Sequence, residues 1–256
     1  ILSPAGFAAL EYAIPEPLPR LQAAQRETLA AFSAVRFLDS PADLVENPLP
    51  GIAFGNELLD ALPFHVIEWR DGRWHECLVA MENDAFVWQL DPSPLSPALQ
   101  TILTDLPGTF PDGYRTEVRT CFADFFQPLL AALTSGLLIW PDYGYERDDY
   151  YHPDRTTGTL RTFAKHRAAE DPLAAPGEMD ITAHVDFTAA ARAAESLGCR
   201  PHPLRTQSAW LTGLAREWLL AQEGKPDIAG LRQFQTLTHP GHLGTRFHIL
   251  EMEWPA

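Results

Sequence analysis

Residues 51–63 read G-I-A-F-G-N-E-L-L-D-A-L-P, and this stretch is the best guide to the fold. It opens with a short apolar segment that polar residues follow. Two earlier segments, 10–14 and 35–38, have the same character, and an amphipathic helical pattern over 20–32 separates them. Short strands that alternate with helices at this spacing predict an α/β fold with a mostly parallel sheet and helices on both faces.

Polar side chains follow each of these three predicted strands. Glu16 and Asp39 come after the first two, and Asn56 and Glu57 come after the third. Ligands of open parallel sheets bind beyond the carboxyl ends of the strands, so these residues are the first candidates for a site. From spacing alone, Glu16 either accepts hydrogen bonds from ribose hydroxyls or is an ordinary surface acid. Asn56 and Glu57 either grip a ligand or begin a helix, with Asn56 as its N-cap.

The stretch 64–115 changes character, and we expect it to form a β-rich insertion beside the main sheet. Two strand-like segments flank Asp71 and Gly72, a pair that is typical of a two-residue hairpin turn. Residues 86–90 are expected to add a third antiparallel strand.

The second half of the chain contains further helices and strands. We expect a helix over 120–133 kinked or started near Pro128, a buried strand over 136–139 that ends in a polar loop at 142–145, a long irregular segment over 146–185, a helix capped by Asp186 that runs through Leu197 and stops at Gly198, an amphipathic helix over 206–220, and an antiparallel edge strand over 246–252. Residues 206–240 are expected to form a helical insertion.

Asp180, His184 and Asp186 are close together in the sequence, and their residue types can bind metals or relay protons. The alternative, which we favour, is that Asp186 caps the following helix and His184 forms local hydrogen bonds. His239 and His242 lie in a predicted turn that would not aim both imidazoles at one ion. We therefore predict no metal site.

The composition narrows the classes of function. Hydrophobic residues make up 46% of the 256 residues, which is enough for a substantial core, and no apolar run is long enough for a membrane span. Acidic residues outnumber basic ones 34 to 19, and the net charge of -15 opposes binding to nucleic acid. The sequence contains no G-x-S-x-G, P-loop or H-E-x-x-H motif. Three widely spaced cysteines, Cys77, Cys121 and Cys199, are expected to be buried and unpaired in a reducing compartment.

Several motifs, in this order, resemble those of the MidA family. They are G-N-E-L-L-D-A-L-P at 55–63, D-Y-G-Y at 142–145, G-T-L-R at 158–161, D-P-L-A-A-P-G-E-M-D-I-T-A-H-V-D-F at 171–187, Thr206-Gln207, and L-T-H-P-G-H-L-G-T-R-F-H-I-L at 237–250. The resemblance implies a class I (Rossmann-like) methyltransferase fold, with residues 1–256 as a single methyltransferase-like domain. It also implies S-adenosyl-L-methionine as the methyl donor and no metal. The family includes a mitochondrial enzyme that dimethylates an arginine of a respiratory complex I subunit during its assembly.

The resemblance implies a role for each candidate residue. For the cofactor these are Glu16 on the adenosine ribose, Asp39 near adenine, and Asn56 and Asp142. For catalysis they are Glu57 against an arginine guanidinium, with Asn56, Asp60 and His184. For the substrate they are Tyr143 on the same rim as Asp142, and Thr182 and Asp186 along the acceptor channel. A carboxylate suits the guanidinium because it pairs bidentately and fixes the plane in which a nitrogen attacks the methyl group.

Two features depart from the family pattern. Trp140 and Pro141 stand between an apolar strand and D-Y-G, so we expect a shifted or bulged strand end. Nothing between Ile1 and Glu11 matches the strand and glycine-rich loop that approach the methionine carboxylate in the family. We therefore expect this first strand and loop to be missing, and cofactor binding by residues 1–256 alone to be weak or absent.

The leading hypothesis is a protein arginine methyltransferase whose partner is a protein substrate. The alternatives are a methyltransferase that acts on another nucleophile, and a non-catalytic assembly factor that binds a partner through the insertion. Exposed side chains at Trp69, Trp74 and Trp88 would favour the assembly factor, and buried ones a structural role. The expected location is the cytoplasm, or the mitochondrial matrix in a eukaryote, and a homodimer is left open.

Overall fold

The computed structural model describes residues 10–106, 109–164, 167–169, 171–224 and 226–255. The strands are β1 (Tyr12–Pro15), β2 (Val35–Leu38), β3 (Leu49–Phe54), β4 (His65–Arg70), β5 (Arg73–Glu82), β6 (Ala85–Leu90), β7 (Arg115–Val118), β8 (Leu133–Tyr145), β9 (Arg161–Ala164), β10 (Arg167–Ala169), β11 (Asp180–Thr182), β12 (Val185–Asp186), β13 (Arg200–Pro201), β14 (Arg205–Thr206) and β15 (Phe247–Trp254). The helices are α1 (Pro19–Thr28), α2 (Pro97–Thr104), α3 (Phe122–Ala131), α4 (Arg147–Tyr150), α5 (Phe187–Ser196), α6 (Gln207–Leu214), α7 (Arg216–Leu220) and α8 (Ile228–Thr238), and a 3-10 helix spans Pro41–Leu44. Within the described ranges, no helix has the length and apolar character needed to cross a membrane.

The main sheet is built around the 13-residue strand β8. Strands β3 and β12 pair with β8 in parallel, near its start and at its end, and β15 pairs antiparallel along its opposite edge. Two short strands, β13 and β14, pair antiparallel with β15. The α/β class is confirmed, but the main sheet is mixed rather than mostly parallel. The prediction of an edge strand at 246–252 is wrong, because β13 and β14 cover the outer edge of β15.

A second, smaller sheet contains the first two strands. β1 and β2 pair in parallel, with Pro15 opposite Leu38, as expected from the helical connection α1 between them. Among the described residues, no strand joins this pair to the sheet around β8. The region in which we expected the first strand and glycine-rich loop to be missing falls largely on residues 1–9, which lie outside the described residues.

The insertion forms a four-stranded antiparallel sheet in the order β6-β5-β4-β7. The predicted hairpin is confirmed: Asp71 and Gly72 have positive φ angles of 52° and 76°, as a tight turn between twisted strands requires. The sheet extends past residue 115, because β7 runs to Val118. The three tryptophans are half-buried. Trp69 and Trp74 pack against each other with ring centroids 5.1 Å apart, which favours a structural role.

The core lies where α3 and α5 pack against each other and against β8 and β15. Phe126, Leu138, Trp140 and Met252 are at most 1% exposed, and burial of each such side chain stabilises the fold by about 1.5–3 kcal/mol. Helix α5 ends as predicted, at a glycine with positive φ, Gly198 (98°). Cys77 and Cys199 are buried and Cys121 is half-buried, and all three are free.

Other boundaries differ from the prediction. The polar loop expected at 142–145 is the end of β8, because β15 pairs with residues up to Tyr143 and β12 with the next two. The segment 146–185 is only partly irregular, since it contains α4 and β9 to β12. The helix expected over 206–220 is divided at Ala215 into α6 and α7.

Candidate active site

The turn after β3 carries three of the predicted site residues, Asn56, Glu57 and Asp60. Residues 55–63 form bends and turns and do not begin a helix, so the interpretation of Asn56 as an N-cap is wrong. The physical reason is that other side chains bind the backbone groups that a helix would use. Asp142 Oδ2 accepts hydrogen bonds from the N–H groups of Leu59 and Asp60, at 2.9 and 3.2 Å.

Asp142 is fully buried, with 0% of its surface exposed, and does not lie on the rim where the sequence analysis expects it. Its Oδ1 accepts a third hydrogen bond, from the N–H of Tyr143 at 2.8 Å. Burial, and then the charge of Asp60, raise the pKa of the Asp142 carboxyl to about 7, and the three hydrogen bonds oppose this rise. Asp142 therefore holds the turn that carries Asp60, and its contact with a cofactor stays a prediction.

Arg119, 5% exposed, joins this turn to a second segment. Its guanidinium donates to the carbonyl groups of Asp60 and Leu62, at 2.6 and 3.2 Å, and to those of Ala183 and His184, at 2.8 and 2.7 Å. A planar guanidinium with five N–H donors can hold several carbonyl groups in one geometry. The sequence analysis missed this residue, and the only available indication was a charged residue directly after a short strand.

Asp60 supplies the buried carboxylate of the site, and it is 6% exposed. Its Oδ2 accepts hydrogen bonds from the hydroxyl groups of Tyr143 and Thr182, the latter at 2.7 Å, and these two hydroxyls also contact each other. Burial, and then the bond to Asp60, raise the pKa of Tyr143 and so keep its hydroxyl a donor. Asp60 Oδ1 is buried without a hydrogen-bond partner in the described part of the chain. An ionised carboxylate in this state favours a cation or a hydrogen-bond donor.

His184 borders the same cluster. The centroid of its ring lies 5.3 Å from that of Tyr143 and 5.3 Å from that of Tyr145. Its Nδ1 is buried and has no hydrogen-bond partner among the residues described. Burial lowers the pKa of His184 to about 4, and three arginines lower it further: Arg155, Arg161 and Arg119. The imidazole is therefore neutral at physiological pH.

Glu57 lies on the surface beside this buried cluster and has a positive φ of 49°. Its N–H donates to the carbonyl of Pro141 at 3.0 Å, and its Oε1 accepts a hydrogen bond from Asn56 Nδ2 at 3.0 Å. Non-glycine residues adopt such a φ rarely, and those that do are concentrated at functional sites. The turn thus presents an exposed carboxylate three positions before the buried carboxylate of Asp60.

Asp186 is buried and caps α5, because its Oδ1 accepts a hydrogen bond from the N–H of Ala189 at 3.0 Å. The capping prediction is confirmed, and burial raises the pKa of this carboxyl. The proposed contact of Asp186 with substrate stays a prediction. Asp180 is exposed, and within the described ranges no group of three or more His, Cys, Asp and Glu side chains has the arrangement of a metal site.

Glu16 and Asp39 follow the paired strands β1 and β2, and the N–H of Glu16 donates to the carbonyl of Leu38 at 2.9 Å. Glu16 Oε2 accepts from Gln25 Nε2 at 3.1 Å, and Asp39 Oδ1 accepts from Gln22 Nε2 at 3.3 Å. These oxygens keep lone pairs for further donors.

The Glu16 pair fits the hydroxyl groups of a ribose. Adjacent carboxylates at the carboxyl ends of parallel strands accept hydrogen bonds from ribose in dinucleotide folds. The Oε1 of Gln25, buried next to Glu16, also has no partner among the described residues. The described hydrogen bonds do not link this pair to the Asp60 cluster, so a cleft shared by Glu16 and Glu57 stays a prediction.

A third carboxylate, Glu117, supports His184 from below and was also missed. It is 1% exposed, and it accepts hydrogen bonds from the N–H and hydroxyl of Thr159, at 2.9 and 2.7 Å, and from the N–H of Leu160 at 3.0 Å. The Thr159 hydroxyl oxygen also accepts a hydrogen bond from the N–H of His184 at 3.1 Å. Gly158 makes this approach possible: its φ is 68°, and a Cβ there would lie 2.3 Å from Glu117 Oε1.

The chain is similar to several known proteins. Residues 2–204 match the family model described as "Putative S-adenosyl-L-methionine-dependent methyltransferase". Over 222 residues the chain is 31% identical to the mitochondrial protein arginine methyltransferase NDUFAF7 homolog of Drosophila melanogaster, and the match covers 78% of this chain and 46% of that protein. The human protein arginine methyltransferase NDUFAF7 is 27% identical over 212 residues, which cover 77% of this chain and 44% of the human one. The chain thus spans about half the length of these relatives.

Solved structures agree. A protein from Burkholderia thailandensis, crystallised with S-adenosyl-homocysteine, superposes with a TM-score of 0.83 at 29% identity, over 98% of this chain and 67% of that one. A native structure from the same organism gives a TM-score of 0.82 at 30% identity, over 95% of this chain and 66% of that one. Because the family model matches more than three quarters of the sequence, the chain belongs to this family of S-adenosyl-L-methionine-dependent methyltransferases.

Proposed function

We propose that the protein transfers a methyl group from S-adenosyl-L-methionine to a guanidinium nitrogen of an arginine in a protein substrate. The observation that carries the proposal is the buried carboxylate of Asp60, whose Oδ1 has no hydrogen-bond partner among the described residues. A guanidinium supplies both the positive charge and the directed N–H donors that such an oxygen favours. The names of the relatives from Drosophila and human support the same acceptor.

Asp60 and Glu57 divide the work at the acceptor. Asp60 is held rigidly, because Tyr143 and Thr182 bind one of its oxygens and Asp142 and Arg119 bind its backbone. It therefore fixes the position of the guanidinium, which is the main requirement of an in-line displacement. Glu57 is exposed and accepts the proton that the attacked nitrogen loses, which it then passes to water.

His184 and Tyr143 complete the acceptor side without adding charge. The pKa of His184 lies at about 4, so its imidazole is neutral at physiological pH and does not repel a guanidinium. Tyr143 keeps its proton and donates it to Asp60, so the tyrosine helps to hold Asp60 ionised. A cationic acceptor therefore enters a site whose net charge is negative.

S-adenosyl-L-methionine would supply an electrophilic methyl group on a sulfonium. Glu16 would bind its ribose hydroxyls, Asp39 would lie near its adenine, and Asn56 would lie between the cofactor and the acceptor. The side-by-side carboxylates of Glu16 and Asp39 support the first two assignments. These roles stay proposals, as does the cleft that would bring Glu16 and Glu57 together.

The test uses the full-length gene product with methyl-labelled cofactor and the proteome of a strain that lacks the gene. Tandem mass spectrometry should find label on arginine. Asp60→Asn and Glu57→Gln should reduce incorporation by at least about tenfold, since each removes a charge that faces the acceptor. Asp84→Asn and Glu82→Gln, on exposed positions of the β5–β6 hairpin, are matched controls and should leave it unchanged.

Each other outcome points to a different reading. Label on lysine or on a small molecule would mean that the enzyme acts on another nucleophile, and the arginine proposal would be wrong. Absence of label with any substrate, together with normal binding of a protein partner, would indicate the non-catalytic assembly factor.

A further inference from the structure

A groove of about 640 Å³ lies between the insertion sheet and the segment that follows Tyr151. Its volume falls within the range of sites that bind small ligands or short peptide segments. Arginines dominate its charged lining: Arg70, Arg115 and Arg161. Such a concentration of positive charge is unexpected in a protein whose net charge is -15. The groove is therefore a local basic site on an acidic molecule.

Two of these arginines are held in place by one buried carboxylate. Glu68 is 3% exposed; its Oε1 pairs with Arg70 at 2.6 Å, and its Oε2 pairs with Arg115 at 2.7 Å. The guanidinium of Arg115 also lies 5.8 Å from the ring centroid of Trp88. One carboxylate between two guanidiniums leaves a net positive charge, and the fixed geometry lowers the entropic cost of binding an anion there.

Arg161 connects the groove to the candidate active site. It pairs directly with Thr182 across the antiparallel ladder of β9 and β11. Directly opposite residues project to the same face of a sheet, with Cβ atoms about 5 Å apart. Thr182 is the residue whose hydroxyl binds Asp60 at 2.7 Å. The exposed guanidinium of Arg161 thus lies beside the proposed acceptor site.

Arg161 also has no carboxylate partner in the described part of the chain. Its guanidinium donates only to the neighbouring carbonyl of Leu160, at 2.6 Å. An exposed arginine without an ion pair is ready to bind an external anion at little desolvation cost. The large negative charge of the whole molecule opposes a nucleic acid as that anion.

We propose that this groove binds an acidic segment of the protein substrate, with Arg161 paired to a carboxylate within a few residues of the methylated position. The spacing follows from the geometry: the groove begins one strand away from Thr182, about 4.8 Å, and an extended chain advances about 3.3 Å per residue. The inference rests on the proposed function, because it assumes that the acceptor is a polypeptide bound at Asp60.

The experiment measures binding of synthetic peptides to the full-length gene product by fluorescence anisotropy. The peptides combine two variables: a central arginine or lysine, and flanks that are acidic or neutral. Acidic flanks should tighten binding about threefold to fivefold, whichever residue is central, and the preference should fade as salt is raised. Arg161→Glu should abolish or reverse the preference. The matched control is Arg192→Glu, a charge reversal at an exposed position of α5 outside the groove lining, and it should retain the preference.

The two variables separate this inference from the proposed function. Equal binding of acidic and neutral flanks, or a preference that survives Arg161→Glu, overturns the groove assignment. Equal binding of central arginine and lysine counts instead against the arginine acceptor. Tighter binding of a single-stranded oligonucleotide than of the acidic peptides would also overturn the assignment to a protein segment.

Discussion

The carboxylate of Asp142 accepts a hydrogen bond from the backbone N–H of Asp60 at 3.2 Å, although the two residues lie 82 positions apart in the chain. Two acidic side chains are thereby brought together in a region with little solvent. The arrangement gives them different properties: the pKa of Asp142 rises to about 7, while Asp60 gains hydroxyl donors on one oxygen. One acid therefore supports the turn, and the other is available to a ligand.

The shift at Asp142 predicts a pH dependence of stability. Its folded-state pKa of about 7 exceeds the ordinary value of 3.8, so the folded protein binds this proton more tightly than the unfolded chain does. The stability from this group is complete below pH 4 and is lost as the pH rises to 7. Between pH 5 and pH 8, wild type should lose on the order of 2 kcal/mol of unfolding free energy relative to Asp142→Asn. Urea unfolding at both pH values measures this difference, and an equal loss in both proteins would show that Asp142 has no raised pKa.

Arg119 is predicted to be a positioning residue. Arg119→Met leaves four carbonyl groups without their donor and should destabilise the protein by about 2–4 kcal/mol. Arg119→Lys keeps the charge but not the planar array of donors, so it should fold better and still show a reduced kcat. Arg192→Met, at an exposed helical position, is the control for the loss of charge. A lysine variant with full stability and full kcat would contradict the positioning role.

The residues that sequence reasoning found are those that follow a strand directly. Glu16, Asp39 and Glu57 are of this kind, because local alternation of strand and helix is enough to place them at strand ends. Arg119 and Glu117 were missed because their partners lie many positions away and the pattern around them is that of an ordinary strand.

The error at Asp142 has a related cause. An Asp-Tyr-Gly-Tyr segment is typical of a loop, and only the pairing with β15 and β12 makes it the end of a buried strand. Tertiary contacts here override local propensity.

His184 is predicted to stay neutral well below its ordinary range. Its folded-state pKa of about 4 lies under the ordinary value of 6.5, so stability from the neutral form is present above pH 6.5 and is lost as the pH falls toward 4. Wild type should lose on the order of 2 kcal/mol between pH 7 and pH 5 relative to His184→Gln. NMR titration of the imidazole checks the pKa directly, and a midpoint near pH 6.5 would refute the prediction.

Gly158 is predicted to be irreplaceable, for two separable reasons. Its φ of 68° is strained for any other residue, and a Cβ would lie 2.3 Å from the Oε1 of Glu117. Gly177 has a similar φ, 83°, but nothing lies within 4 Å of a Cβ there, so Gly177→Ala reports the backbone strain alone. We expect Gly177→Ala to cost about 1 kcal/mol and Gly158→Ala about 1–3 kcal/mol more, because the alanine must displace a buried carboxylate from Thr159 and Leu160. Chemical denaturation measures both costs. Since Thr159 binds the N–H of His184 at 3.1 Å, Gly158→Ala should also raise the KM for the acceptor, whereas Gly177→Ala should not. Equal costs for the two substitutions would mean that the contact between Glu117 and the 158–160 loop contributes nothing to the fold.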